Sequence, residues 1–183
     1  MKRLQAIKKA TQRGVGMLEY GVVAIIAAIV LIGIYLAFNT YLTNSSVDDN
    51  VKDLTYIAGQ LQQKFGAQNN YANVTTATAV TSHAIPDYLR VSGTSTAQNK
   101  FSGAITVAPA TLTTANDAAA VTWSNIPSDR CADIVTGADK AFKRIAIGGT
   151  VVKPLNGTLN QATLGTQCEA ASNVNGTFTV GRN

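Results

Sequence analysis

The chain reads as an α+β fold, one long amino-terminal helix followed by a domain built on an antiparallel β-sheet, and three observations predict it. Residues 15 to 38 form an apolar run in which Glu19 is the sole charge. No proline occurs before Pro86, so nothing forces a break where that run ends, and the helix can continue into an amphipathic stretch. Beyond residue 100, short β-branched or alternating segments are separated by turns rich in Gly, Pro and Asn. At 183 residues and 46% hydrophobic, the chain suffices for one modest globular domain beyond any membrane segment.

The first fourteen residues hold Lys2, Arg3, Lys8, Lys9 and Arg13 and no acid, which accounts for the whole net charge of +5. The remainder is neutral and has no basic stripe, so nucleic-acid binding, which draws its affinity from neutralised phosphates, is not predicted. As a helix rising ~1.5 Å per residue, the apolar run reaches about 36 Å, enough for a ~30 Å hydrocarbon core. The basic flank keeps the amino terminus cytoplasmic and directs the chain beyond Phe38 outward. A conventional secretory signal fits badly. The apolar core exceeds the usual length of about 7 to 15 residues, and "NTYLTNSS" after it lacks an A-x-A site. The small residue at the polar-to-apolar boundary is Gly14, ahead of the run. An acid within a bilayer costs a few kcal/mol unless it is paired or interfacial. Glu19 therefore either meets a cation, such as an α-amine created on Val15 by cleavage after Gly14, or reaches the headgroups at the helix start.

In "SSVDDNVKDLTYIAGQLQQKFG", Val47, Val51, Leu54, Ile57, Ala58, Leu61 and Phe65 recur at steps of three and four and form one apolar stripe. Ser45 or Ser46 can interrupt or cap locally, Asp48 and Lys52 form an i,i+4 pair, and Gly66 is the stop. One helix is predicted from Val15 to Phe65, with Gly21 and Gly33 as flexible points. Residues 67 to 99 read as a loop leading to short structure around "IPDYLRV". Strands are predicted at 101 to 107, 119 to 125, 143 to 152 and 176 to 181, and a helix over 127 to 142, begun by Pro127 and Ser128 and burying Val135, Ala138 and Phe142.

Cys131 and Cys168 lack CxxC spacing. A single disulfide is the simplest account of them, in an oxidising compartment, with two buried free thiols as the alternative. His83 stands alone in a polar stretch, with no triad or metal set around it, so no catalytic residue, cofactor or metal is expected. Trp123, inside a predicted strand, reads as core. Asn44, Asn73, Asn156 and Asn175 begin N-x-Ser/Thr sequons, to which no modification is assigned, and the glycines of "IGGTVV" and "LNGTLN" suit turns without phosphate-loop spacing.

A basic leader ending in Gly, then an apolar helix with Glu as its fifth residue, resembles the type III signal of type IV prepilins. The resemblance implies Gly14 as the residue before the cut, Val15 as the N-methylated new terminus and Glu19 as the acid needed for assembly. The leader of fourteen residues and a first mature residue other than Phe resemble the type IVb branch. "LEYG" at Leu18 to Gly21 is also similar to the Flp branch of tight-adherence pilins, whose chains are much shorter. A cysteine near a helix start, a strand like "KRIAIGG", and a second cysteine shortly before a terminal strand are similar to the disulfide-bounded region of toxin-coregulated, bundle-forming and conjugation-plasmid pilins.

The resemblance implies a type IV pilin fold with a Cys131–Cys168 disulfide and four parts. These are a cleaved leader (1–14), a transmembrane and polymerisation helix (15–38), an amphipathic helix half (39–66) and a head domain (67–183). It implies a structural subunit rather than an enzyme. The precursor sits in the bacterial inner membrane, is cut by a prepilin peptidase, and polymerises with itself into an extracellular filament for adhesion, aggregation or conjugative contact. The implied partners are an assembly ATPase, an inner-membrane platform protein and a secretin. The alternatives are a minor pilin or pseudopilin, and a membrane-tethered periplasmic binding module that does not polymerise.

Overall fold

A computed structural model describes residues 16–66 and 71–181, with the side chains of 16–24 and 36–44 outside the description. Helix α1 spans Gly16–Phe65. The described residues fall into two units that divide at Thr43/Asn44, namely the first part of α1 and a domain from Asn44 onward that includes the rest of it.

Within the domain, the predicted stripe is the buried face of α1. Leu54, Ile57 and Leu61 are fully buried, Ala58 nearly so, and Val47 and Phe65 pack at the margins of the core. Gly66 follows the last α-helical residue, where a Cβ would meet Tyr71 Oη at 2.9 Å.

The stretch expected to be a loop is more ordered than its composition implies. It contains α2 (Thr76–Thr81), a 3-10 turn at Asp87–Leu89 and the short strand β1 (Ala97–Gln98). The Thr-rich sequence supplies a capping box. Thr75 Oγ1 accepts from the Thr78 amide at 3.1 Å, and Thr78 Oγ1 accepts from the Thr75 amide at 2.8 Å. Val74, Ala79, Val80, Ala84, Ile85 and Leu89 from this segment are buried. Small apolar residues dispersed among threonines had hidden a covering layer of the core.

Strands β2 (Ala104–Ala110) and β3 (Ala118–Pro127) are followed by α3 (Ser128–Ala138) and a 3-10 turn at Asp139–Ala141. The predicted helix over 127 to 142 thus tightens in its last turn. The single strand expected over 143 to 152 is instead a hairpin of β4 (Arg144–Ile147) and β5 (Thr150–Lys153). Gly148 and Gly149 form its turn at φ of +58° and +87°, a left-handed conformation that glycine adopts without steric cost. Helix α4 (Gln161–Cys168), not foreseen, starts where Asn160 Oδ1 accepts from the Thr163 amide at 3.0 Å, and it buries only Leu164 and Cys168. Strand β6 (Asn173–Gly181) completes an antiparallel sheet of order β1-β2-β3-β6-β4-β5.

The last strand therefore lies at the centre. Trp123 on β3 faces Gly176 on β6, where a Cβ would strike Phe178 Cε2 at 2.7 Å, so the ring layer requires glycine there. Trp123, Phe142 and Phe178 are fully or almost fully buried in the core shared with α1.

Candidate assembly face and the disulfide-closed region

In the first part of α1, every described side chain from Ile25 to Tyr35 is exposed, including Ile25, Ile26, Ile29, Leu31 and Ile34. A continuous apolar surface of this kind marks a site for lipid or protein. Gly14 and Val15 lie outside the described residues. Glu19 is within α1, but its side chain lies outside them, so its pairing has no geometry here. Among the described residues no helix is long and apolar enough to cross a membrane, and the run expected at 15–38 extends beyond the described side chains at both ends.

The domain ties α1 to β3, α3 and the segments between them by polar contacts that the apolar stripe does not disclose. Asn50 is fully buried; its Nδ2 donates to Ser46 O at 2.7 Å, and its Oδ1 accepts from Trp123 Nε1 at 3.1 Å. One helical step on, Asp53 is 3% exposed and accepts from Tyr88 Oη. Burial pushes the Asp53 carboxyl up, and its bond in turn pushes the Tyr88 phenol up to about 12. Asp49 Oδ2 lies 2.6 Å from Lys100 Nζ, and that hydrogen bond holds the carboxyl below its ordinary range. Arg130 on α3 donates to Ser46 Oγ at 2.8 Å and stacks 5.9 Å from the Phe101 ring centroid. Asn50 and Asp53 lie at helical spacing from Leu54 and Ile57. Extending the stripe to polar residues was the one signal that could have found them.

Cys131 on α3 and Cys168 at the end of α4 form a disulfide, with Cα atoms 5.6 Å apart. The bond holds α4 against α3 and closes a segment that includes the β4-β5 hairpin. Lys153 braces the base of that hairpin. Its Nζ lies 2.9 Å from Asp139 Oδ1 and donates to the carbonyls of Asp139 and Phe142 at 2.7 and 3.0 Å. His83 is exposed, with Nδ1 3.5 Å from Asp87 Oδ1, and Trp123 is core as expected. Among the described residues no group of three or more His, Cys, Asp or Glu could hold a metal.

The sheet edges are blunted. On β2, Ile105 pairs with β1, the Val107 amide donates to Thr76 Oγ1 at 2.9 Å, and Pro109 has no amide proton. On β5, Val152 O accepts from the Asn160 amide at 2.9 Å. Such edges resist strand addition and, among the described residues, leave the apolar part of α1 as the sticky element.

An amino-terminal helix that buries its second half against an antiparallel sheet, with a disulfide closing the carboxyl-terminal segment, is the architecture of a type IV pilin. The structure is similar to that of TcpA, a type IV pilin from Vibrio cholerae El Tor biotype, at 15% identity and a TM-score of 0.50, covering 72% of this chain and 98% of that one. It is also similar to the type IVb pilin from Salmonella typhi, at 20% identity and a TM-score of 0.53, covering 72% of this chain and 99% of that one. No curated protein sequence matches the chain. Residues 44–181 match the family described as PilS N terminal, and the chain belongs to that family, a type IVb-like pilin.

Proposed function

We propose that the protein is the structural subunit of a type IVb pilus, cleaved by a prepilin peptidase after Gly14 and polymerised through its apolar helix into an extracellular filament. The observation that carries this reading is the exposed surface from Ile25 to Tyr35 on a helix continuous with a folded domain. Fully burying a Val, Leu or Ile contributes roughly 1.5–3 kcal/mol relative to water. The aliphatic side chains of this stretch thus oppose any step through solvent by far more than thermal energy. Lipid tails and a bundle of neighbouring helices are nearly equivalent hosts, so transfer between them is permitted.

Dispersion among near-equivalent apolar faces does not set axial register. A charge pair does, because an unpaired carboxylate in a low-dielectric core is strongly disfavoured. In this reading the N-methylated α-amine of Val15 on one subunit pairs with Glu19 of another, and the filament serves adhesion, aggregation or mating contact. The ATPase, platform protein and secretin are the expected assembly partners.

Mass spectrometry of purified filaments tests the cleavage: the expected mature chain begins at Val15, and a mass starting at Met1 contradicts it. Gly14→Val blocks processing. Glu19→Ala leaves a folded, exported domain without fibres, and abundant normal fibres from that variant would remove the pairing role.

A further inference from the structure

Between the exposed flank of α1 and the segment from the 3-10 turn after α3 to the loop after β5 lies an open cleft of about 560 Å³. Its polar wall is formed by Thr55, Gln62, Lys140, Lys143, Lys153 and Asn156. Among the described residues three lysines line the cleft and no acid does, Asp139 reaching only Lys153. Lys153 is a strut rather than a free cation, because Asp139 and two carbonyls occupy its three protons. Lys140 and Lys143 have no carboxylate partner among the described residues, so the cleft keeps a net positive charge.

The rest of the wall is neutral and able to hydrogen bond. Gln62 donates from Nε2 to Gly181 O at 3.3 Å and keeps its Oε1, while the Thr55 hydroxyl and Asn156 amide are unengaged among the described residues. One rim is rigid. Asn156 sits at φ +58° in a turn closed by the Gly157 amide on Pro154 O at 3.1 Å, and a Cβ on Gly157 would meet Pro154 Cγ at 2.6 Å. The opposite rim is open at Gly59, where a Cβ would meet nothing within 4 Å.

Two lysines beside hydroxyl and amide groups, in an open cleft with ample room for a sugar ring, suit an anion that also carries hydroxyls. We propose that this cleft binds an acidic sugar residue of a surface polysaccharide, its carboxylate between Lys140 and Lys143 and its hydroxyls on Thr55, Gln62 and Asn156. A solvent-open site of this kind binds each sugar weakly, and repetition of the site along a filament multiplies the attachment. Binding at one subunit does not depend on the polymerisation reading.

The test is a ligand-observed NMR titration of the full chain in detergent micelles with galacturonate, galactose and inorganic phosphate. Galacturonate is expected to saturate in the millimolar range, with galactose, which lacks the charge, and phosphate, which lacks the hydroxyls, each at least about ten-fold weaker. Lys140→Gln with Lys143→Gln is expected to weaken galacturonate at least about ten-fold, whereas Lys100→Gln, an exposed lysine that pairs with Asp49 and does not line the cleft, leaves it unchanged. Phosphate binding as tightly as galacturonate, no saturation by galacturonate, or normal binding by the double variant overturns the proposal. So does loss of filaments by the double variant at unchanged thermal stability, which would assign the cleft to a second copy of the chain.

Discussion

Removing the disulfide is the sharpest test of how the carboxyl-terminal half is held. Cys131 and Cys168 are separated by 37 positions, and both are buried. In the chain-entropy account, closing a loop of this length restricts the unfolded ensemble by about 4 kcal/mol. A domain of roughly 140 residues unfolds with an entropy of about 0.3 kcal/mol/K, so the loss corresponds to a fall of about 13 °C in melting temperature. The assay is thermal unfolding by circular dichroism of the oxidised protein, the reduced protein and Cys131→Ala with Cys168→Ala.

Reduction keeps the sulfur volume in the core and isolates the loop effect, and the double alanine variant adds a small packing loss. The damage should begin at α4, whose buried anchors are Leu164 and Cys168. Amide exchange should therefore quicken across 161–168 before it does in β3 and β6. A fall below about 4 °C on reduction would refute the loop-closure account, since it would mean that α4 and the hairpin are held by packing alone.

Gly137 on α3 lies so close to α1 that a Cβ would meet Val51 Cγ2 at 2.7 Å. Gly137→Val is expected to destabilise the domain by about 1–3 kcal/mol by wedging the helices apart, measured by urea unfolding. Trp123→Phe removes the donor to Asn50 Oδ1 and leaves a buried acceptor unpaired, at a cost of about 1–3 kcal/mol, and Asn50→Leu in the same background should recover part of it. Asp117 accepts from the amides of Leu112, Thr113 and Thr114, which hold its carboxyl far below the ordinary carboxylate range. Its contribution is therefore complete above its ordinary pKa and is lost as pH falls through the depressed one. Asp117→Asn should melt lower than the parent at neutral pH, with the difference shrinking in strong acid.

Much of the architecture was legible locally. The period of three and four from Val47 to Phe65 located the buried face of α1, and the β-branched runs located β2, β3 and β6 within a few residues. The hairpin of β4 and β5 read as one strand because "GG" inside an apolar run is compatible with either an extended chain or a turn. Helix α4 and the ordered segment around α2 escaped because their apolar residues are too few to show a period. Their stability comes from the disulfide, the Thr75 and Asn160 caps and contact with a core assembled elsewhere.

Sequence by itself determined the properties that depend on neighbouring positions: a basic stretch ahead of an apolar run, the absence of a proline to break it, the spacing of Gly14, Val15 and Glu19, and the α+β order of elements. Tertiary structure decided what depends on residues distant in the chain. It placed the last strand at the centre of the sheet and buried Asn50 and Asp53 against Trp123 and Tyr88. It also joined Cys131 to Cys168 and set Lys140 and Lys143 beside Thr55 and Gln62. Periodicity records only which face of a segment is apolar. Which segments meet, and which polar groups are thereby desolvated, is settled when the packed core is closed.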